Sequence, residues 1–412
     1  LVERGASHVA IVGGGMVGLT LAALLRGQGL KLLLLDADAP PRDDLPLQPD
    51  RYQPRVSALS LASQQLLERV GAWPLMRAQR VSPYQRMVVW DGEGSGQIEF
   101  DAAAIQQPAL GHIVENEVTR HALLTTLADQ HGVELRWRSP VTALGSTTGG
   151  RPLLQLEDGS TVTAQLLVAA DGSHSPLRQM AGFRCRQWSY RQRAIVSTVR
   201  STQPHAATAW QCFRDGAPLA LLPLSDPHHC SIVWSLPEPA ADSLLASDEA
   251  SFNQALTRAS EARLGALELA DRRYSFPLRQ SHSVDYVQGA LVLIGDAAHS
   301  IHPLAGQGVN LGLLDAAVLA EELGKGVARG LPLNDPLLLQ RYQRRRQGEN
   351  LAMMAAMEGL KRLFAADPLP LRLLRNRGLS LVDRSAPLKR WLIGRASGMA
   401  GDLPDIARAV SR

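Results

Sequence analysis

The stretch VAIVGGGMVGLTLAALLRGQGLKLLLLDAD, Val9 to Asp38, decides the fold. Val9 to Val12 is short, β-branched and apolar, the pattern of a buried parallel strand, and Gly13, Gly15 and Gly18 follow at the three positions of G-x-G-x-x-G. Gly13 permits a tight turn, Gly15 lets backbone approach a pyrophosphate, and Gly18 lets a helix over Leu19 to Arg26 pack closely on the strand. The phosphates would sit at that helix's N-terminus, where unpaired N–H groups and the helix dipole favour an anion. Leu32 to Leu35 is the second strand, and Asp36 at its end suits a ribose 2′-hydroxyl while repelling a 2′-phosphate, which disfavours NADP here. The stretch therefore predicts an α/β, Rossmann-like domain, with NAD and FAD both open.

Composition bounds the rest. With 412 residues, 45% hydrophobic and 20% charged, the chain reads as an ordinary globular protein large enough for two or three domains. No apolar run approaches the roughly 18 residues of a membrane span, and the start has no signal-peptide pattern. A cytoplasmic protein is expected, with peripheral placement at the inner face of the membrane left open, and no nucleic-acid partner. The leading LVERGASH is assigned no function. Cys185, Cys212 and Cys230 are odd in number, widely spaced and without a CxxC, so neither a disulfide framework nor a metal site is supported and buried core thiols are expected.

Further along, RVSALS (Arg55 to Ser60) stands at the start of a helical pattern running to Val70. Extended patterns near Met87 to Phe100 precede a helix predicted over Asn116 to His131, and Gly132 to Trp137 and Leu153 to Ala169 read as strands. Residues 186–236 change character: AIVSTVRS, TAWQCFRDG, LALLPLSD and CSIVWSL alternate between turn residues, the signature of an antiparallel sheet. A helix near Asp248 to Leu264 then leads back to a buried strand at Ala290 to Asp296. The division expected is a dinucleotide domain of 1–76, 108–183 and 286–340, a substrate domain of 77–107 and 184–285, and a C-terminal helical segment of 341–412.

Two more motifs bear on the choice of dinucleotide. In AADGSHSPLR, Asp171 and Gly172 follow a strand and Ser175 and Arg178 open a helix. In IGDAAHSIHPLAGQGVNLGLLDA, Ile294 to Ala316, a strand ends at Gly295-Asp296 and a glycine-rich loop, Leu304 to Asn310, opens another helix. An Asp at a strand's C-terminal end is placed to accept from a sugar hydroxyl, and a glycine-rich helix start offers bare N–H groups to an anion. An NAD dehydrogenase needs neither; a flavin has more to hold.

The three motifs together resemble the class A FAD-dependent aromatic hydroxylases, which have the para-hydroxybenzoate hydroxylase fold. GDAAHSIHPLAGQGVNLGLLDA is similar to the ubiquinone-biosynthesis hydroxylases, and LPLSDPHHCSIVWSL (Leu222 to Leu236) resembles the branch that hydroxylates 2-octaprenylphenol at C5. The resemblance runs from Val9 to about Pro404. It implies a Rossmann-like FAD domain with an inserted antiparallel substrate sheet and a C-terminal helical segment. It also implies Gly13, Gly15 and Gly18 at the pyrophosphate, Asp36 on the adenosine ribose, and Arg55 near the pyrophosphate and ribityl chain. Asp171 and Gly172 would serve both FAD and a visiting NAD(P)H. Asp296 would bind a ribityl hydroxyl, and Gly306, Gly308, Val309 and Asn310 would aim helix-start N–H groups at the flavin N1 and C2 carbonyl, where reduced flavin carries charge. Asp36 stands where many relatives have Glu.

The implied reaction is hydroxylation of a polyprenylphenol-type ring in ubiquinone biosynthesis, with NAD(P)H as transient reductant and O₂ activated as a flavin C4a-hydroperoxide. No second dinucleotide fingerprint appears, as fits a reductant that visits and leaves. Pro303 and His299 are the flavin-proximal candidates, although His299 and His302 in such a turn more often pack than transfer protons. Leu222 and Pro223 are assigned to the substrate side. Trp188, Trp210 and Trp234 are read either as an aromatic pocket or as core. Two other readings stand beside this one: a reductase or dehydrogenase of the same fold acting on isoprenoid double bonds, and a non-catalytic assembly subunit that holds FAD.

Residues 341–395 carry 13 Lys and Arg against 4 Asp and Glu, a net +9 in a chain of net +4. Met353, Met357, Leu360 and Phe364 recur at helical spacing beside Lys361 and Arg362, predicting an apolar stripe. This segment is expected either to pack on the FAD domain with a solvated basic face or to serve as an assembly or membrane-surface element for a lipid-borne substrate. A homo-oligomer is also expected.

Overall fold

The computed structural model describes residues 7–41, 51–128, 132–214, 216–301, 307–365 and 368–408. Its first sheet is built around the opening stretch. Ser7–Val12 lies between Leu32–Leu35 and Thr161–Ala169, all parallel; Val133–Arg136 extends one side and Leu291–Leu293 the other. Val9, Ile11, Leu34, Leu35 and Leu166–Ala169 are all fully buried, as strands covered by helices on both faces must be. The helices Met16–Leu25 and Gln307–Ala328 pack together in this core. A hairpin, Val141–Ser146 with Pro152–Leu156, runs antiparallel beside Thr161–Ala169.

RVSALS departs from the sequence reading. Val56–Ser60 is a strand, paired antiparallel with Gly111–Glu115 in a three-stranded sheet, and only then does the helix Leu61–Arg69 begin. Ser60 caps that helix by accepting from the Ser63 amide at 3.2 Å. Local periodicity ran the two together because the cap lies inside the apolar run. The Ala290-to-Asp296 strand is likewise shorter, ending at Leu293, and Gly295–Ala297 is a turn of 3₁₀ helix. The helix from Asn116 ends at Leu127.

The second sheet has nine strands. Cys185–Ser201 pairs with Tyr274–Ser283 on one side and His229–Pro237 on the other. Ala217–Pro223 and Thr208–Arg214 follow in antiparallel order, and Arg86–Asp91 joins Thr208–Arg214 in parallel. One face packs on Trp234, Phe252 and Leu256 with the helices Glu238–Ala246 and Glu249–Ala259. On the other face Leu222 joins Tyr52, Ala58 and Ile113 in one apolar cluster, Ala58 and Ile113 belonging to the three-stranded sheet. His299–Ser300, just after the Gly295–Ala297 turn, pairs with His282 and Ser281 of the second sheet.

The C-terminal segment is part of the body. Pro336–Phe364 is one helix of 29 residues, capped by Asp335 accepting from the Leu337 and Leu338 amides at 3.0 and 3.1 Å. It buries Tyr342, Arg346, Asn350, Met354 and Phe364; Met353 and Met357 are half-buried and Leu360 is exposed, so the predicted stripe is rotated by about one residue. Phe364 stacks on Phe213 of the second sheet, ring centroids 4.0 Å apart. Leu369–Arg384 continues across that sheet, where buried Arg375 pairs with Asp91 at 2.6 Å. Among the described residues no helix is long and apolar enough to cross a membrane.

Candidate flavin site

Three turns meet at the carboxyl ends of the parallel strands. Gly13 has φ +115°, and a Cβ there would lie 2.2 Å from the Ala170 carbonyl oxygen, beside Asp171; a Cβ on Gly18 would lie 2.0 Å from the Gly13 carbonyl oxygen. A Cβ on Gly15 meets no atom within 4 Å, and no side chain caps the helix that Gly15 opens. Gly13 and Gly18 are thus glycine for the turn, and Gly15 is glycine for whatever lies against that helix end. Gly14, which the sequence reading passed over, is also required: its Cβ would lie 2.8 Å from both Asp36 Oδ2 and the Trp137 ring.

Asp36 stands at the end of its strand. Its carboxylate accepts from the amides of Gly14 and Asp38, the latter at 2.7 Å, so it orders the turn and keeps lone pairs for a ribose hydroxyl. Arg120, from the helix Asn116–Leu127, donates to the Gly14 carbonyl at 3.0 Å and lies 5.4 Å over the Trp137 ring. No spacing rule in the sequence marks Arg120 or Trp137 as members of the site.

Asp171 accepts from the Leu177 amide through Oδ2 at 3.2 Å, while its Oδ1 is buried with no partner among the described residues. Burial raises its pKa, opposed by hydrogen bonds from Ser175 and the Leu177 amide. Gly172 follows with φ +82° and no atom within 4 Å of a Cβ. Arg178, 2% exposed, donates to Ser173 O at 2.7 Å and Ala297 O at 2.8 Å, tying this turn to the one that carries Asp296.

Asp296 has no hydrogen-bond partner among the described residues. Its carboxylate is reached by solvent, yet the walls around it raise its pKa, opposed by the charges of His299 and Arg55. Arg55 is exposed and lies 4.5 Å over the Phe276 ring, which aims its charge at the same ground. Gly308, Val309 and Asn310 stand in the first turn of Gln307–Ala328. The Asn310 side chain does not face a ligand: Oδ1 accepts from the Ser60 amide (3.0 Å) and the Ser63 hydroxyl (2.8 Å), and Nδ2 donates to Ala58 O (2.9 Å). Its part is to moor the helix start to the Val56–Ser60 strand, leaving the backbone to meet the ligand. Gly306, Pro303 and His302 lie outside the described residues.

His299, the flavin-proximal candidate of the sequence, is fully buried, and its Nε2 is 2.6 Å from Asp315 Oδ2, so that nitrogen is engaged within the protein while its backbone pairs with His282 of the second sheet. Burial alone would raise the Asp315 carboxyl, but the charges of His299 and Arg346 outweigh it and lower the pKa to about 2. Leu222 is half-buried on the face toward the three-stranded sheet, whereas Pro223 is buried. The tryptophans do not gather: Trp234 packs on Phe252, Trp210 on Trp90, and Trp188 is 39% exposed. Cys212 and Cys230 are buried thiols, each pushed up to about 12 by burial and so unreactive; Cys185 is half-buried.

An unoccluded helix start at Gly15, an orphaned buried Asp171 Oδ1 and an unpartnered Asp296 are donors and acceptors with nothing among the described residues to satisfy them. They fit a pyrophosphate flanked by sugar hydroxyls, as FAD presents. Fold and site together define a dinucleotide-binding protein of the FAD type. Residues 6–356 match the FAD binding domain family. The chain is 36% identical over 393 residues to the 3-demethoxyubiquinol 3-hydroxylase of Escherichia coli, covering 95% of this chain and 99% of that one. It is 37% identical over 392 residues to the ubiquinone hydroxylase UbiL of Rhodospirillum rubrum, covering 95% and 90%. In fold it superposes on the crystal structure of the p-nitrophenol 4-monooxygenase PnpA of Pseudomonas putida with a TM-score of 0.77, at 18% identity over 97% of this chain and 100% of that one. The chain belongs to the FAD-dependent hydroxylases of ubiquinone biosynthesis.

Proposed function

We propose that this enzyme hydroxylates the aromatic ring of a prenylated phenol on the route to ubiquinone, consuming NAD(P)H and O₂, with C5 of a 2-polyprenylphenol as the favoured position. The observation that carries this reading is the character of the sheet face turned to the flavin site. Ala194, Val196 and Leu278 are buried there, with Val233 and Phe276 packed against them and Leu222 alongside. Such a wall suits a lipophilic ring and excludes water. The C5 position rests on the likeness of Leu222 to Leu236 to that branch; the Escherichia coli relative is named for another ring position, so demethoxyubiquinol is the alternative substrate.

Bound FAD, once reduced by NAD(P)H, supplies the activated oxygen. The chain does the rest. The N-terminus of Met16–Leu25 and the bare Gly15 hold the pyrophosphate, while Asp36, Asp171 and Asp296 accept from sugar hydroxyls. The start of Gln307–Ala328 presents N–H groups and a helix dipole where negative charge develops on reduction. The protein's contribution is orientation, electrostatics and dryness. The experiment is anaerobic reduction with NADH or NADPH, with and without a 2-polyprenylphenol or a demethoxyubiquinol, followed by labelled O₂ and mass analysis of the ring. One labelled oxygen per product supports the reading. Label arriving from water, or a reduced isoprenoid formed without oxygen, overturns it.

We further propose that the outer face of the C-terminal helices meets the surface of an anionic bilayer. Leu371, Leu381, Leu388 and Trp391 are 39–71% exposed there, and Arg377, Arg384, Arg390 and Arg395 are exposed among them. Exposed apolar side chains and cations on these neighbouring helices complement lipid headgroups, and a prenylated substrate resides in lipid.

A further inference from the structure

Beneath the turn that carries Asp296 lies a buried ionic cluster to which the reaction assigns no part. Asp315, fully buried on Gln307–Ala328, uses both carboxylate oxygens twice. Oδ2 accepts from the Gly295 amide at 3.0 Å and from His299 Nε2 at 2.6 Å. Oδ1 accepts from Arg346 Nε at 2.7 Å and Asn350 Nδ2 at 3.1 Å. Arg346, 2% exposed, also donates to Asn350 Oδ1 at 2.8 Å, and Asn350 Nδ2 reaches the Tyr286 hydroxyl at 3.3 Å. The Gly295–Ala297 turn is therefore clamped at both ends, by Asp315 on its first amide and by Arg178 on its last carbonyl.

We propose that Asp315 and its counterion Arg346 are positioning residues for FAD, and that through them the seating of Pro336–Phe364 sets flavin affinity. Three arginines stand in a row at 344–346, and their surroundings differ. Arg344 is exposed, Arg345 is bound to Glu321, Glu322 and Asp402 toward the surface, and Arg346 alone enters the core beside the flavin turn. A buried pair adds little net stability against an apolar alternative, but its geometry is directional and its breakage leaves an uncompensated charge. That charge would stand near Asp296, whose carboxylate already feels Asp315 as a like charge. Losing Arg346 frees the Gly295 amide from a well-ordered acceptor and makes Asp296 a poorer, less charged partner for a ribityl hydroxyl. The match of residues 6–356 to the FAD binding domain family takes in Arg346 and Asn350, as a helix belonging to the flavin site requires.

The test is titration of apoprotein with FAD, read by flavin fluorescence, alongside the thermal transition of the same apoprotein. Arg346→Met is expected to weaken FAD by about ten-fold or more, the scale of a lost charge-assisted contact. Arg346→Lys is expected to recover part of that, and Arg345→Met to stay within about two-fold of the unmodified protein, since it breaks only partly exposed pairs. If Arg346→Met does not fold, the charge-free Asp315→Asn/Arg346→Met double variant takes its place. Weakened FAD binding in a folded variant supports the proposal. Unchanged FAD affinity in either folded variant, whatever the thermal transition does, overturns it, as does an equal loss in Arg345→Met.

Discussion

Asp296 and Asp315 lie nineteen residues apart and do opposite work. Asp315 is saturated by four donors and holds the chain to itself, while Asp296 has none and is kept for the ligand. Removing Asp296 should therefore leave the apoprotein's thermal transition unchanged or slightly raised, because a carboxylate disfavoured by its walls is lost. FAD should bind about 10- to 100-fold more weakly, a charge-assisted hydrogen bond contributing about 1.5 to 3 kcal/mol; fluorescence titration of Asp296→Ala measures it, and an unchanged affinity would show that Asp296 does not touch the sugar chain. His112 governs a different property. Burial, aided by the Arg77 charge, lowers its pKa from 6.5 to about 4, and its ring packs edge-on against Trp73 at 4.8 Å. The unfolded chain thus binds the proton more readily between pH 6.5 and 4, so stability is full above pH 6.5 and is lost as pH falls to about 4. The loss is on the order of 2 to 3 kcal/mol. Urea unfolding across that window should show this slope, and His112→Gln should flatten it.

The glycine turn and the long C-terminal helix make separable predictions at the scale of the element. Gly18→Ala forces a Cβ onto the Gly13 carbonyl and should cost the fold about 1 to 3 kcal/mol. Gly15→Ala meets nothing in the chain at φ −77°, so apoprotein stability should hold while FAD affinity falls. Melting curves and FAD titrations of the two variants should split in this way; equal melting losses would mean that Gly15 is also a packing glycine. Truncation after Gln340 removes Tyr342, Arg346, Met354 and Phe364 from buried positions. It should give insoluble or colourless protein, whereas a soluble yellow truncate would make the helix an appendage. Charge counted along the chain says nothing of where each guanidinium points: Arg345, Arg346 and Arg375 are spent on acids of their own molecule. RVSALS was misread for a related reason, since a strand and a helix that share an apolar run across a serine cap have one continuous local pattern.

The whole molecule joins a phosphate-binding sheet to an apolar sheet and laces both with C-terminal helices whose remaining face is free. The lipid proposal belongs to this scale. Vesicles rich in phosphatidylglycerol should blue-shift the emission of exposed Trp391 and sediment the protein, neutral phosphatidylcholine vesicles should do so weakly, and Leu381→Asp should abolish the difference. Binding that ignores lipid charge, or self-association through this face, would count against it. Sequence alone settled the parts whose chemistry is local: a tight turn needs glycine where φ is positive, a phosphate needs bare amides at a helix start, and an acid at a strand's end can meet only what lies beyond it. Hence the turn glycines Gly13 and Gly18 and the strand-end placement of Asp36, Asp171 and Asp296 were legible, and so was the alternation of the second sheet. Tertiary structure alone decided that Asp171 Oδ1 has no partner among the described residues, that the Asn310 side chain and His299 Nε2 are spent on groups of the protein itself, that Arg120 braces the Gly14 turn, and that Asp315, held by Arg346 and Asn350, braces the turn at Gly295. A buried polar group is defined by its partner, and these partners stand 16 to 252 residues away in the chain, for most of them a relation no window along the sequence can contain.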